Sequence, residues 1–229
     1  MMYRIILRSS FILSFILFVL TIQSQAVEGK KQALLLGASV GKAWDLPNFP
    51  NRMKNDHYRF ETVAAYQYDK TEALEEILMR PQRKFHLTKT YFMGFFKPSP
   101  ALPNMIILKE CAAYFPGDLN SYKALMKKWV AQIRAAKIQV VLATVVPVTQ
   151  QRAGKKKGQI EEIRAFNDWM REYARTEKIP LLDMEAALRR ADARFLKDDL
   201  TDGDGLHLNK KAYDILDRLL AGDVSLLDI

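Results

Sequence analysis

The sequence predicts an α/β fold in which a parallel sheet of about five strands lies between two layers of helices. Three observations lead to this prediction. Short apolar runs alternate with longer amphipathic segments from Lys31 onward. The first apolar run, residues 33–36, ends in a Gly-x-Ser-x-Gly sequence at residues 37–41. Polar residues follow the ends of later runs, and in an open parallel sheet these ends share the edge where ligands bind.

The apolar runs are rich in alanine, leucine and β-branched residues, which suit strands that are buried on both faces. The predicted strands are residues 33–36, 60–66, 105–108, 139–146 and 180–183. A chain of 229 residues is long enough for one sizeable core and is short for two. We therefore expect these strands to form a single sheet.

Segments with apolar residues at helical spacing lie between the strands. The predicted helices are residues 71–79, 118–137, 159–176 and 208–220. Asp69 is the predicted N-cap of the first, and Asp118 or Asn120 that of the second. The aromatic stripe of the third helix is predicted to pack in the core. Residues 42–57 contain two prolines and are predicted as a loop, and residues 84–96 are ambiguous.

The first residues of the chain have the features of an export signal. Arg4 and Arg8 precede an apolar stretch at residues 11–22, and Ser24 and Ala26 form a small-x-small cleavage site. The apolar stretch is about twelve residues long, and roughly twenty are needed to cross a bilayer. We expect a signal peptide over residues 1–26, a mature domain over residues 27–229, and a periplasmic or secreted location. An uncleaved membrane anchor is the alternative.

The charge balance is basic, with a formal net charge of +9. The densest cluster is Lys155, Lys156 and Lys157, which is either a solvated loop or a surface that attracts anionic lipid or polysaccharide of the cell envelope. The sequence contains no helix-turn-helix, zinc-finger or aromatic RNA-binding motif, so nucleic acid is not an expected partner. Cys111 is the only cysteine, which excludes a disulfide within the chain.

Ser39 is the candidate nucleophile. Glycines at the end of a strand allow a tight turn, which lifts the serine hydroxyl out of the sheet and places a backbone N–H beside it. A nucleophile that attacks a carbonyl and stabilises the resulting oxyanion needs this arrangement. The motif alone is also compatible with an ordinary turn.

A second group of polar residues lies at residues 202–209. Asp204 precedes His207 by three residues on a glycine-containing loop, so its carboxylate can reach the imidazole Nδ1 and stabilise the imidazolium that forms during proton transfer. Asp202 and Asp204 resemble part of a calcium loop, but residue 200 is a leucine and no glutamate closes the site. A purely structural turn is the remaining alternative. No metal or organic cofactor is expected.

Taken together, these motifs resemble those of the SGNH or GDSL hydrolase family, and the resemblance covers nearly the whole mature chain. It rests on residues 36–39 after the first strand, on residues 103–107 and 145–148 around the next strands, and on the Asp-Gly-Leu-His-Leu-Asn sequence at residues 204–209. The resemblance implies a flavodoxin-like three-layer α/β/α sandwich.

By this resemblance the family's nucleophile maps onto Ser39, its acid onto Asp204 and its general base onto His207. The family's oxyanion glycine has no counterpart in residues 64–70, and the family's Gly-x-Asn-Asp block becomes residues 110–113, with Ala112 in place of the asparagine. Loss of one oxyanion donor typically lowers turnover on the order of 100- to 1,000-fold. The backbone N–H groups of Ser39 and Ala112 are the expected donors.

Four further residues are expected to line the site: Gly37, Glu110, Cys111 and Pro147. A carboxylate at Glu110 beside the oxyanion would oppose catalysis unless it is protonated, turned away or paired with a cation such as Lys109, and a structural salt bridge is the expected arrangement. The predicted function is an exported serine esterase that acts on a small-molecule, lipid or glycan ester. The alternatives are an impaired domain of the same fold that binds an envelope glycan, a lipid or a partner protein, and an O-acyltransferase.

Overall fold

The computed structural model describes residues 30–224 except 56, 82–100 and 192–193. The elements described here belong to one compact unit that begins at Lys31. Its strands are β1 (Lys31–Gly37), β2 (Tyr58–Ala64), β3 (Met105–Lys109), β4 (Gln139–Ala143) and β5 (Leu181–Leu182). Its helices are α1 (Ser39–Ala43), α2 (Phe49–Met53), α3 (Thr71–Leu78), α4 (Leu119–Ala135), α5 (Gln150–Ala153), α6 (Gln159–Glu177), α7 (Met184–Leu188) and α8 (Lys210–Val224).

The five strands form one parallel sheet in the order β2-β1-β3-β4-β5. The direction of strand progression reverses at β1, so the crevice between the carboxyl ends of β1 and β3 is the topological switch point. Gly37 at the end of β1 pairs with Ala64, and Leu36 pairs with Leu108 of β3. The chain enters α1 directly after this point, which places Ser39 at the crevice.

Each face of the sheet is covered by its own apolar cluster. Leu34, Leu36 and Leu108 pack against α3, α4 and α6 on one face. Leu35 and Ile107 pack against α1, α2, α7 and α8 on the other. Alternation of side chains along β1 supplies both clusters, which explains why residues 33–36 of this strand are all apolar. The architecture is the predicted three-layer α/β/α sandwich.

The predicted strands and long helices are present, with boundaries that shift by a few residues. Asp118 is the N-cap of α4 and accepts hydrogen bonds from the N–H groups of Asn120 and Ser121. Lys70, rather than Asp69, is the N-cap of α3, although the Asp69 carboxylate does accept from the N–H of Thr71.

One loop prediction was wrong. Residues 42–57 contain a 3₁₀ turn at Leu46–Asn48 and the helix α2, each with a proline in its first turn. Proline is tolerated there because the first N–H groups of a helix have no partner within the helix. The ambiguous residues 84–96 lie outside the described residues.

The predicted signal peptide, residues 1–26, also lies outside the described residues and stays a prediction. Within residues 30–224, apart from the gaps, no helix is both long and apolar enough to span a membrane.

Candidate active site

The hydroxyl of Ser39 and the imidazole of His207 meet at the carboxyl edge of the sheet, although 168 positions separate them in sequence. His207 Nε2 lies 3.2 Å from Ser39 Oγ, and His207 Nδ1 lies 2.6 Å from Asp204 Oδ2. Both distances are within the range expected of a nucleophile, its base and the carboxylate that orients the base. The side chains of His207 and Asp204 are 44% and 42% exposed, so substrate and water can reach them.

The Asp204 carboxylate is held by the backbone of its own loop. Its Oδ1 accepts hydrogen bonds of 2.8 Å from the N–H groups of both Leu206 and His207. Desolvation opposes ionisation, but these N–H groups and the His207 ring outweigh it and lower the pKa of Asp204 to about 2. The carboxylate is therefore ionised at neutral pH, as required to stabilise an imidazolium.

Two glycines allow the histidine loop to adopt its shape. Gly203 has φ +94° and Gly205 has φ +76°, both in the left-handed region that favours glycine. The carbonyl of Gly205 accepts a hydrogen bond of 3.0 Å from the N–H of Thr149. A Cβ on Gly205 would lie 2.4 Å from Thr149 Oγ1 and 2.9 Å from Arg152 Cβ, whereas one on Gly203 would meet nothing within 4 Å. Gly205 therefore also permits the close approach of the β4–α6 loop.

Helix α8, which follows His207, is hydrogen-bonded to the segment that follows Ser39. Asp217 of α8 is buried and accepts hydrogen bonds from Trp44 Nε1 (2.8 Å) and Arg52 Nε (2.6 Å). These polar contacts, together with the apolar cluster on this face, hold the segment that carries His207 against the segment that carries Ser39.

The two residues whose N–H groups are the expected oxyanion donors both lie at the carboxyl edge of the sheet. Ser39 is the first residue of α1, and Ala112 begins a 3₁₀ turn (Ala112–Tyr114) after β3. Neither N–H has a hydrogen-bond partner within the described part of the chain. The carbonyl of Ala112 accepts a hydrogen bond of 2.8 Å from Gln159 Nε2, and this contact fixes the orientation of the turn.

Glu110 does form a salt bridge, but the expected partner was wrong. Lys109 Nζ donates to the backbone carbonyl of Glu110, and the carboxylate instead pairs with Lys70 at 2.5 Å. The two side chains lie on opposite faces, because Lys109 and Glu110 are consecutive at the end of a strand. Burial raises the pKa of Glu110 to about 7, against the opposing effect of Lys70. One oxygen, Oε1, has no partner among the described residues.

The other predicted lining residues lie at the same edge. Gly37 ends β1 and its carbonyl accepts from the N–H of Ala65. Cys111 is buried and unpaired after β3, and Pro147 is buried after β4. Asp183, the last residue of the predicted strand 180–183, is the N-cap of α7 and accepts a hydrogen bond from the N–H of Ala186.

The sequence did not reveal three residues that shape this region. Lys70 looks like a surface residue before a helix, and only the carboxylate after β3 hints that a cation must be nearby. Asp217 falls within an amphipathic helix, and Thr149 has no distinguishing pattern. Among the described residues no group of three or more metal-ligating side chains is present.

The comparisons with known proteins agree with this architecture. Residues 112–215 match the model of the GDSL-like Lipase/Acylhydrolase family. The matched segment contains Ala112, Asp204 and His207, and it begins after Ser39. No curated protein matches the chain.

Solved structures match over most of the chain at low identity. A GDSL-like lipase from Bacteroides thetaiotaomicron has a TM-score of 0.62 and 17% identity, covering 86% of this chain and 89% of that one. A member of the lipolytic G-D-S-L family from Veillonella parvula has a TM-score of 0.61 and 13% identity, covering 85% and 98%. An acetyl xylan esterase has a TM-score of 0.60 and 16% identity, covering 84% and 99%. Residues 112–215 are thus similar to the GDSL-like Lipase/Acylhydrolase family, and the chain has the fold of the SGNH/GDSL hydrolases.

Proposed function

We propose that this protein is an exported serine ester hydrolase with Ser39 as nucleophile, His207 as general base and Asp204 as the residue that orients the base. The observation that carries this proposal is the continuous contact from Asp204 Oδ2 to His207 Nδ1 and from His207 Nε2 to Ser39 Oγ. The GDSL-like segment supports an esterase activity independently of this geometry.

In the acylation step, His207 Nε2 takes the proton of Ser39 Oγ while this oxygen bonds to the ester carbonyl carbon. The carbonyl oxygen becomes an oxyanion beside the N–H groups of Ser39 and Ala112. Ionised Asp204 stabilises the imidazolium. The carbonyl then re-forms, the ester C–O bond breaks, and the imidazolium gives its proton to the leaving alcohol.

In the second step, His207 takes a proton from water, the hydroxide adds to the acyl-serine carbonyl, and the carboxylic acid leaves as Ser39 regains its proton. A sugar hydroxyl in the place of water would give acyl transfer by the same steps. The two reactions differ only in the acceptor, so product analysis with and without added sugar distinguishes them.

The substrate we propose is an acyl or acetyl ester of a lipid or a carbohydrate. The similarity of the fold to an acetyl xylan esterase supports the carbohydrate alternative. The proposed mature domain is residues 27–229, released by cleavage after Ala26. Intact mass of the protein recovered from the periplasm or the medium tests this boundary, and a retained N-terminus would favour the membrane-anchored alternative.

The function is tested with purified protein on a panel of p-nitrophenyl esters of increasing chain length and on acetylated xylan. Ser39→Ala and His207→Ala should each abolish turnover, while the matched variants Ser121→Ala and His57→Ala, which alter a serine and a histidine away from the site, should retain it. A fluorophosphonate probe should label the wild-type protein and not Ser39→Ala.

Turnover that survives both site substitutions would overturn the mechanism. A folded protein that turns over no ester and takes no label would favour the rival function, a binding domain with an impaired site. The specific observation behind that rival is the alanine at position 112, which offers no side-chain donor to an oxyanion.

A further inference from the structure

The loop between β4 and α6 carries four positive charges and no acidic residue. We call Arg152, Lys155, Lys156 and Lys157 the basic rim. The loop contacts both sides of the candidate site. Arg152 packs against Gly205, in the loop that carries His207. Lys156 Nζ donates a hydrogen bond of 3.2 Å to the carbonyl of Ala113, which is next to the expected oxyanion donor Ala112. The basic rim therefore lies against both the loop that carries His207 and the turn that follows β3.

The charges of the basic rim have no carboxylate partner among the described residues. Other basic side chains do pair with carboxylates, for example Arg52, Arg80, Arg134, Arg171, Arg194 and Lys210. Glu162 at the start of α6 accepts a hydrogen bond from the N–H of Gly117, and Asp204 in the histidine loop binds His207. Like charges so close together repel one another, and an anionic ligand would relieve that repulsion.

The basic rim lacks the apolar side chains that insert into a lipid surface. Val145, Val146 and Val148, which precede it, are buried. Insertion into the acyl boundary needs exposed apolar residues beside the basic ones, and without them a basic loop is attracted to an anionic membrane by only about 1 kcal/mol per charge. Binding of a soluble polyanion requires only the positive charges of the loop. The exposed positions of Lys155, Lys156 and Lys157 suit a long, hydrated polymer.

We propose that the basic rim binds the acid groups of an anionic polysaccharide whose ester is presented to Ser39. This inference rests on the proposed function. The ester bond and the carboxylates belong to the same polymer, so the basic rim raises the local concentration of the ester and steers it to the nucleophile.

The test compares acetylated polygalacturonate with acetylated xylan of matched acetyl content, at low and at high NaCl. The variant Lys155→Gln/Lys157→Gln removes two charges from the basic rim. The matched control Lys137→Gln/Lys178→Gln removes two exposed charges at the opposite edge of the sheet, near the starts of β4 and β5. We expect the rim variant to lose about tenfold in kcat/KM on polygalacturonate at low salt and nothing on xylan. The control should behave as wild type.

Each other outcome has a definite meaning. If the wild-type protein hydrolyses both polymers equally and salt has no effect, the inference is wrong while the esterase proposal stands. If it hydrolyses no ester, the proposed function itself fails. If the rim substitutions abolish binding to phosphatidylglycerol vesicles and leave polymer hydrolysis unchanged, the ligand is a membrane and the inference is overturned.

A separate observation concerns the buried pair Lys70 and Glu110. Lys70 Nζ has no exposed surface. Besides its contact with Glu110, it donates hydrogen bonds of 3.2 Å to the carbonyls of Gln67 and Tyr68. It also lies 5.1 Å from the centre of the Tyr114 ring, within reach of a cation–π interaction. One ammonium group thus joins the end of β3 to the loop between β2 and α3.

This β2–α3 loop begins beside the serine turn. The N–H of Ala65 donates a hydrogen bond of 2.7 Å to the carbonyl of Gly37, which lies two residues before Ser39. Tyr114 Oη donates a hydrogen bond to the carbonyl of Ala65. The next residue, Tyr66, is 61% exposed and is one of two large apolar side chains with such exposure among the described residues. We propose that Lys70 and Glu110 are positioning residues that hold this loop and Tyr66 against bound substrate.

The proposal is tested with Glu110→Gln and the double variant Lys70→Met/Glu110→Gln. The single variant removes only a carboxylate charge that burial disfavours and keeps the ammonium group that donates to the loop carbonyls, so it should remain folded. The double variant also removes that donor, so its kcat/KM should lie about tenfold or more below that of Glu110→Gln, while urea denaturation checks that both variants fold. Equal kcat/KM in the two folded variants would show that the pair is only structural and would overturn this assignment.

Discussion

Substitution of Gly205 by alanine tests how closely the histidine loop is fitted to the β4–α6 loop. Alanine in the left-handed region costs about 1–2 kcal/mol. The added Cβ would also lie 2.4 Å from Thr149 Oγ1 and 2.9 Å from Arg152 Cβ, and forced overpacking of this kind costs roughly 1–3 kcal/mol. We therefore expect Gly205→Ala to lower the free energy of unfolding by about 2–5 kcal/mol.

Gly203→Ala is the matched control for this substitution. Gly203 lies in the same loop and also has a positive φ, but its Cβ would meet nothing within 4 Å. The Gly203→Ala substitution should therefore lower the free energy of unfolding only by the cost of the left-handed conformation, about 1–2 kcal/mol. Urea denaturation measures both losses, and ester hydrolysis measures the effect on the site. A displacement of His207 by about 1 Å lowers kcat/KM on the order of 100-fold. Equal losses of stability and activity in the two variants would refute the close fit at Gly205.

Three further predictions concern charged groups. Asp204→Asn should lower kcat on the order of a thousandfold or more, because an amide does not hold the His207 tautomer or stabilise the imidazolium; single-turnover kinetics measure this, and unchanged kcat would remove Asp204 from the mechanism. Burial raises the pKa of Glu110 to about 7 from 4.5, so between those pH values the folded protein holds a proton that the unfolded chain has released. Stability should therefore fall as pH rises through this window, and urea denaturation of Glu110→Gln should show that slope reduced; an identical slope would contradict the assignment. Asp217→Ala should lower the free energy of unfolding by about 2–3 kcal/mol, since it leaves the buried Trp44 Nε1 without its acceptor and removes the carboxylate partner of Arg52; urea denaturation measures this loss, and a value below about 0.5 kcal/mol would show that this contact does not hold α8 in place.

The parts of the site that the sequence predicts are those set by short spacing. Asp204 and His207 are three residues apart, so their contact follows from local geometry. The meeting of His207 with Ser39 follows from the α/β pattern, which brings the carboxyl ends of the strands to one edge. Both contacts are present in the structure at hydrogen-bond distance.

The parts that the sequence does not predict depend on contacts between distant residues. Glu110 has an adjacent lysine, but strand alternation turns the two side chains apart, and its partner Lys70 is 40 positions away. The helical turns in residues 42–57 were missed because Pro47 and Pro50 usually indicate a loop. Here each proline lies in the first turn of a short helix that buries Leu46 or Phe49 against the sheet.

The hydrogen bonds that Asp217 of α8 accepts have a consequence for the stage of folding at which the candidate site forms. The proposed nucleophile, Ser39, is near the beginning of the folded unit, and the proposed base, His207, lies immediately before the last described helix, which Asp217 binds to Trp44 and Arg52. A chain that has emerged from the ribosome only as far as β5 carries Ser39 without His207. By the proposed mechanism, the newly made chain therefore gains its reactivity only when the segment that carries His207 and α8 docks.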